Sequence, residues 1–346
     1  MSYLRYFSFL GISFLFLWGC ATTPKPPSDE TSPAPQKTAE EVEEEDVVVK
    51  EVKESLTLEK TSKNLYENAY QAYLDGYYEK AIIGFETARL LNPEEMQFWR
   101  KLALSYCYLA TGRYGDAEKL AKELIDEKPD YWGSYMNAGL AALWQGQLVK
   151  ATEHFEKASD FQDAEPSLNV YWGMTYQLLK KPTLATQKFV QAEANYKEII
   201  KNNPNEEQAF IELAYLYLYS SKSDGEALKL IDQAEKIIED SDNPEKKQIW
   251  LDFYLPHLKG IGFYRQGRFR DSILTLTGAL EKVPAGIRID LAEVYYYLGK
   301  NYQALQETEK AKGFFIKALA TDPLVLYAEE IRSYVKPPKP MKKKKG

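Results

Sequence analysis

Four stretches of the chain share one spacing: an alanine, an aromatic ring four residues on, and a second alanine three further. They are Ala81/Phe85/Ala88, Ala151/Phe155/Ala158, Ala185/Phe189/Ala192 and Ala311/Phe315/Ala318. Steps of four and three hold these side chains on one face of an α-helix. The alanines let a second helix approach closely, and the ring is placed to fill the gap between repeats. Prolines at Pro93, Pro129, Pro204, Pro284 and Pro323 close such stretches. Proline has no N–H to donate and its ring clashes with the preceding turn, so each ends a helix. A single helical hairpin cannot bury its own apolar face, so a chain built this way gains stability by stacking neighbours. The spacing therefore predicts an all-α solenoid.

The longer context names the repeat. Residues 76–93 read GYYEKAIIGFETARLLNP, residues 146–158 read GQLVKATEHFEKA, and Leu298-Gly299 is followed by Tyr302. The pattern resembles the tetratricopeptide repeat, a helix-turn-helix of about 34 residues. The resemblance covers about 62–323, with units starting near Ser62, Phe98, Trp132, Pro166, Gln208, Phe253 and Ala292. Turn glycines fall at Gly76, Gly112, Gly146 and Gly267. About seven tetratricopeptide-like hairpins are expected, followed by a capping helix over Leu324–Val335 with Tyr327, Ile331, Tyr334 and Val335 on one side.

The departures carry their own expectations. The second unit has Ala121 and Leu124 where the ring and last alanine belong, and the third lacks a well-placed closing proline. From the fourth unit the starts stretch to intervals of 42, 45 and 39 residues. Phe189, Ala192, Tyr196, Ile199 and Ile200 extend the fourth unit's second helix by about a turn. Pro256 lies inside a helical pattern from about Glu245 to Gln266, which predicts a kink.

The resemblance implies that the first helix of each unit lines a concave surface. Its second, fifth, ninth and twelfth positions fall on Tyr66, Tyr70, Tyr73, Trp99, Leu102, Tyr106, Met136, Leu140, Val170, Met174, Tyr254, His257, Tyr264 and Tyr296. The lysines and asparagines of the two-carboxylate clamp are absent from these places. Aromatic and thioether side chains suit an apolar or extended peptide, or else seal the interior of the superhelix.

Ahead of the repeats, Arg5 precedes an almost unbroken apolar run from Tyr6 to Trp18. That run is shorter than the roughly 20 residues that span a bilayer and fits the h-region of an export signal. Leu17-Trp18-Gly19-Cys20 resembles the bacterial lipobox, which implies a diacylglycerol on the Cys20 thiol and a new N-terminus there. Trp18 departs from the small or β-branched residue usual at its position. Ala21 after the cysteine, rather than aspartate, implies sorting to the outer membrane. Residues 21–61 are rich in proline and threonine and then in acids, and cannot bury enough apolar area to order themselves. As a tether they would reach on the order of 35 Å. Residues 336–346 (KPPKPMKKKKG) read as a basic tail.

Chemistry finds little footing. The 346 residues carry a net charge of −7, which argues against nucleic acid. Two cysteines and two histidines are too few for a disulfide framework or a zinc site. Cys107 lies in an apolar helix, His154 and His257 sit without ligand-spaced companions, and Gly260-Ile261-Gly262 lacks a strand-turn-helix context. No cofactor, metal or catalytic group is expected, and an enzyme acting on the cell wall is the least favoured class. The reading that results is a lipid-anchored, periplasm-facing adaptor with a protein or peptide partner in the envelope. The alternative is a module that handles a small apolar ligand for a transporter, with Tyr70, Trp99 and Trp144 around one cavity.

Overall fold

The computed structural model describes residues 57, 59–161, 165–220, 223–322 and 326–335. The signal segment 1–20 with Cys20, the tether up to residue 56, Pro323, Leu324 and the tail 336–346 lie outside the described residues. The expected tether ends earlier than residue 61, since helix α1 already spans 59–75.

Seven antiparallel hairpins follow one another, and the described residues contain no strand. The first pairs α1 with α2 (Tyr78–Leu91); the second pairs α3 (Phe98–Ala110) with α4 (Tyr114–Glu127). The third is α5 (Trp132–Trp144) and α6 (Leu148–Ser159), and the fourth α7 (Ser167–Leu178) and α8 (Pro182–Asn202). The fifth is α9 (Glu207–Ser220) and α10 (Asp224–Glu239). The sixth has a composite first helix, α11 (Pro244–Ile249) running into α12 (Leu255–Arg265), and then α13 (Phe269–Leu280). The seventh is α14 (Ile289–Ala304) and α15 (Thr308–Thr321), capped by α16 (Ala328–Val335). Each hairpin packs on the next, as a solenoid requires.

In three of the four stretches the recurring ring presses on a glycine in the first helix of its own hairpin, and two of these rings also meet the element that follows: Phe189 meets Tyr219 of α9 at 5.9 Å and Phe315 meets Tyr334 of α16 at 5.0 Å. A Cβ placed on Gly139 would stand 2.5 Å from Phe155, and one on Gly299 2.7 Å from Phe315. Gly173 faces Phe189 in the same way, and Gly260 faces Leu276. The flanking alanines are buried against the same surface. In the second hairpin, where the ring is replaced by Ala121, the facing residue is Ser105, whose hydroxyl donates to the Ala117 carbonyl at 3.3 Å.

Within each hairpin the turn is a Schellman closure, in which a left-handed residue lets the chain fold back onto the last helical carbonyls. Gly76, Gly112, Gly146 and Gly267 have φ between +74° and +90°. The N–H after each donates five residues back at 2.8–2.9 Å: Tyr77 to Ala72, Arg113 to Tyr108, Gln147 to Ala142 and Arg268 to Phe263. Lys180 (φ 58°) and Gln306 (φ 62°) hold the same conformation in the fourth and seventh hairpins without being glycine. At the other end, α2, α4 and α8 stop two residues before Pro93, Pro129 and Pro204. The intervening Asn92, Lys128 and Asn203 are driven out of the helical region, as residues before proline are.

Two irregularities differ in detail from expectation. α8 has 21 residues against 14 in α2 and α4, about two turns longer rather than one. The break near Pro256 is a π-helical stretch, Trp250–Tyr254, immediately before the proline. The wider turn absorbs the hydrogen bond that Pro256 cannot donate, so the helix continues instead of ending.

The stack closes on itself. The Tyr114 hydroxyl donates to Asp322 Oδ2 at 2.6 Å, and Arg288 donates to the Thr321 carbonyl at 2.7–2.9 Å while lying against Gly112. Asn243 donates to Asp75 Oδ1 at 2.8 Å. Gly286 (φ +79°) packs so tightly that a Cβ would meet Glu79 at 2.8 Å. The turn ends of the first two hairpins thus rest on the connections before the sixth and seventh hairpins and on the end of α15.

Two substitutions test these devices. Gly173→Ala forces Phe189 out of its seat and is expected to cost about 1–3 kcal/mol. Gln306→Gly relieves a left-handed strain and is expected to gain about 1 kcal/mol. Urea unfolding of both variants checks the opposite signs.

Candidate functional site

The first helices bring the predicted side chains to the inside of the stack, where most of them are enclosed. Tyr66, Tyr73, Leu102, Tyr106, Met136, Leu140, Val170, Met174, Tyr254, His257 and Tyr296 are buried; Tyr70, Trp99 and Tyr264 are half-buried. Their contacts are specific. The Tyr66 hydroxyl donates to the Asn92 carbonyl at 3.2 Å, bolting α1 to the end of α2. Tyr73 meets Tyr106 edge-on at 5.8 Å, and Tyr264 meets Tyr297 at 5.5 Å. Tyr296 stacks on Tyr327 at 4.1 Å and donates to Glu330 at 2.7 Å, which fastens the capping helix α16. Cys107 is buried in α3.

The three residues weighed for a ligand cavity each have ring partners. Tyr70 packs on Tyr73, Trp99 on Phe98 and Tyr131, and Trp144 on Tyr171. A recess of about 290 Å³ lies elsewhere, lined by Gly267–Asp271 and Leu305 on the outer end of the sixth hairpin.

What the sequence pattern missed is a group of buried ionisable side chains on α9, α12 and α14. His257 Nε2 lies 3.2 Å from Glu293 Oε2, both fully enclosed, and the Tyr327 hydroxyl donates to Glu293 Oε1 at 2.7 Å. Burial pushes the Glu293 carboxyl up, but the neighbouring His257 side chain and the Tyr327 hydroxyl act against it, and the group is held below the ordinary range. Glu212 is enclosed in α9. It accepts from Gln208 at 2.6 Å and from Tyr196 at 3.2 Å, and burial pushes its carboxyl up to about 8. The Tyr171 hydroxyl is raised first by burial and then by Glu212, Asp290 and Glu293, so α7, α9 and α14 share one acidic interior. The signal was an acid inside an apolar first helix, in FIELAYLY and LAEVYYYL, where an exposed face would be the usual home. His257 is therefore a partner of a carboxylate from a neighbouring unit, which helical spacing alone does not show.

The exposed apolar side chains have a different distribution. Ile83, Leu90, Leu91, Val149, Leu184, Val190, Leu274 and Ile316 are the large hydrophobic residues open to solvent among those described. All lie on second helices: α2, α6, α8, α13 and α15. Leu90, at 82% exposure, and Ile83, at 60%, stand seven residues apart on one face of α2. Among the described residues no group of three or more histidine, cysteine or acidic side chains is placed to hold a metal, and no helix is long and apolar enough to cross a membrane.

Residues 102–166 match the tetratricopeptide repeat family model. No curated protein matches the chain. Among solved structures, a tetratricopeptide repeat protein from Parabacteroides merdae is 16% identical with a TM-score of 0.43, covering 80% of this chain and 98% of its own. The Cut9–Hcn1 hetero-tetramer of the APC/C is 14% identical with a TM-score of 0.47, over 77% of this chain and 48% of that one. PilF of Pseudomonas aeruginosa is 11% identical with a TM-score of 0.36, over 68% and 96%.

Glu212 gives the interior a measurable signature. A carboxyl that binds its proton more tightly folded than unfolded stabilises the fold below its ordinary range and loses that contribution as pH rises towards 8. Stability is expected to fall between about pH 4.5 and 8 because of this residue. Glu212→Gln should flatten that slope in denaturation curves taken across the range.

Proposed function

We propose that this protein is a lipid-anchored scaffold that faces the periplasm and holds a protein partner in an envelope assembly. The observation that carries the proposal is the division of the stack into two kinds of surface. First helices place their rings in the interior, while second helices present apolar side chains outward along the stack. A row of such side chains on a stable frame is what a protein contact uses. The anchor rests on the Leu17-Trp18-Gly19-Cys20 sequence, and the intervening residues supply the reach to hold the stack clear of lipid.

Two measurements test the two halves separately. Palmitate labelling in a diderm bacterial host should depend on Cys20 and vanish in Cys20→Ser. A photo-crosslinking residue at Leu90 or Leu274 should capture an envelope protein in intact cells, whereas one at the enclosed Tyr106 should not. Capture from Tyr106 alone would return the contact to the concave side. No label on Cys20 would make this an unanchored scaffold.

A further inference from the structure

Three rings meet at the edge of the second hairpin. Phe98 and Trp99 begin α3, and Tyr131 precedes α5. Phe98 and Trp99 are 5.0 Å apart at 85°, Phe98 and Tyr131 5.5 Å at 85°, and Trp99 and Tyr131 4.9 Å at 89°. Three mutually perpendicular aromatic planes make the corner of a box, and all three are half-buried.

The box already holds a cation. The Lys128 ammonium lies 5.0 Å from the Trp99 ring, 5.4 Å from Phe98 and 5.3 Å from Tyr131. It makes no ion pair among the described residues, although acids are close by in the chain. Glu95 is taken by Arg100 at 2.9 Å and Glu127 by Lys101 at 2.6 Å. Glu94, Asp126 and Asp130, from the same two connections, stand exposed without an ion pair among the described residues. The lysine thus sits on ring faces, whose negative quadrupole attracts a cation, in preference to a nearby carboxylate. Its backbone is fixed there by Pro129, which drives the residue before it out of the helix.

We infer that Phe98, Trp99 and Tyr131 form an organic-cation site whose resident occupant, Lys128, stands in for a lysine side chain presented by a protein partner. The box selects an ammonium through the ring faces, and Glu94, Asp126 and Asp130 at its rim favour a basic segment over an acidic one. In the exchange Lys128 swings on its flexible stem into solvent while the three ring–ring contacts stay in place. The inference deepens the scaffold reading by giving the partner a chemistry at one edge of the stack. It is tested without that partner, so failure of one leaves the other standing.

The probes are N-acetyl-lysine methylamide and its uncharged counterpart, N-acetyl-norleucine methylamide. Binding is read on the full chain from the resonance of 5-fluorotryptophan at position 99, assigned with Trp99→Phe. Wild-type protein should bind the lysine probe weakly, because Lys128 competes. Lys128→Ala should bind it about tenfold more tightly, the scale of one to two cation–π contacts released from competition. Lys128→Gln, which keeps a long stem without the charge, should also gain, and guards against loosening of the end of α4. Tyr131→Ala in the Lys128→Ala background should lose the gain. The inference is overturned if the norleucine probe shifts the resonance as strongly as the lysine probe, or if neither Lys128 variant binds more tightly than wild type.

Discussion

A phenyl ring pressed onto a glycine sets the distance between the two helices of a hairpin, and most of the architecture follows from it. With Phe155 on Gly139, Phe189 beside Gly173 and Phe315 on Gly299, the paired helices have no room for a Cβ at the contact. Close packing of this kind tolerates neither a void nor an extra methyl group without loss. It also fixes rotation: once the glycine faces the second helix, the remaining positions of the first helix must turn inward and to the neighbouring units. That is why Tyr73, Tyr106, Tyr254 and Tyr296 end up enclosed. The second helix, with one face committed to the contact, keeps its opposite face in solvent.

Hairpin packing alone would allow an open spiral. What closes this one is polar and concentrated at a few points: Tyr114 on Asp322, Arg288 on the Thr321 carbonyl, and Asn243 on Asp75. Two of the connections involved flank the sixth hairpin, where the first helix is interrupted by the π stretch before Pro256. The irregular sixth unit is therefore one beside which the ends meet. Closure in turn brings acids from separate units into one interior, with His257 beside Glu293 and Glu212 held by Gln208 and Tyr196.

How much of this was legible depended on the range of the interaction. Alanine and aromatic spacing, turn glycines and closing prolines act within one hairpin, so the hairpins could be read directly, whereas the sixth, expected from Phe253, begins at Pro244 because its first helix runs through the π stretch. The Schellman turns at Lys180 and Gln306 escaped notice because their residue types do not advertise a positive φ. The glycine seats of Phe155, Phe189 and Phe315 within their own hairpins were not legible, because a period of seven gives the face of one helix and not every neighbour that occupies it. The interior was least legible of all. Glu293 meets His257 across 36 positions of sequence, and Tyr114 meets Asp322 across 208, and no local pattern reports such pairings. Reading Tyr66, Tyr73 or Tyr106 as groove residues followed from their helix positions, yet whether a concave face is open depends on superhelical closure, a property of the whole stack.

The same logic separates places where a partner could act. An enclosed tyrosine already has neighbours, and exposing it means opening the closure contacts, so its ring area is a poor source of binding energy in the closed form. Second-helix residues such as Leu90 and Leu274 carry no such cost, and nor does the edge where Phe98, Trp99 and Tyr131 surround Lys128. At that edge the energetic question is narrow. The rings lose one ammonium and gain another, so the balance turns on the neighbouring charges and on the freedom regained by Lys128. The exposed carboxylates at Glu94, Asp126 and Asp130 tilt that exchange towards a basic segment of a partner, and added salt should weaken it as their field is screened.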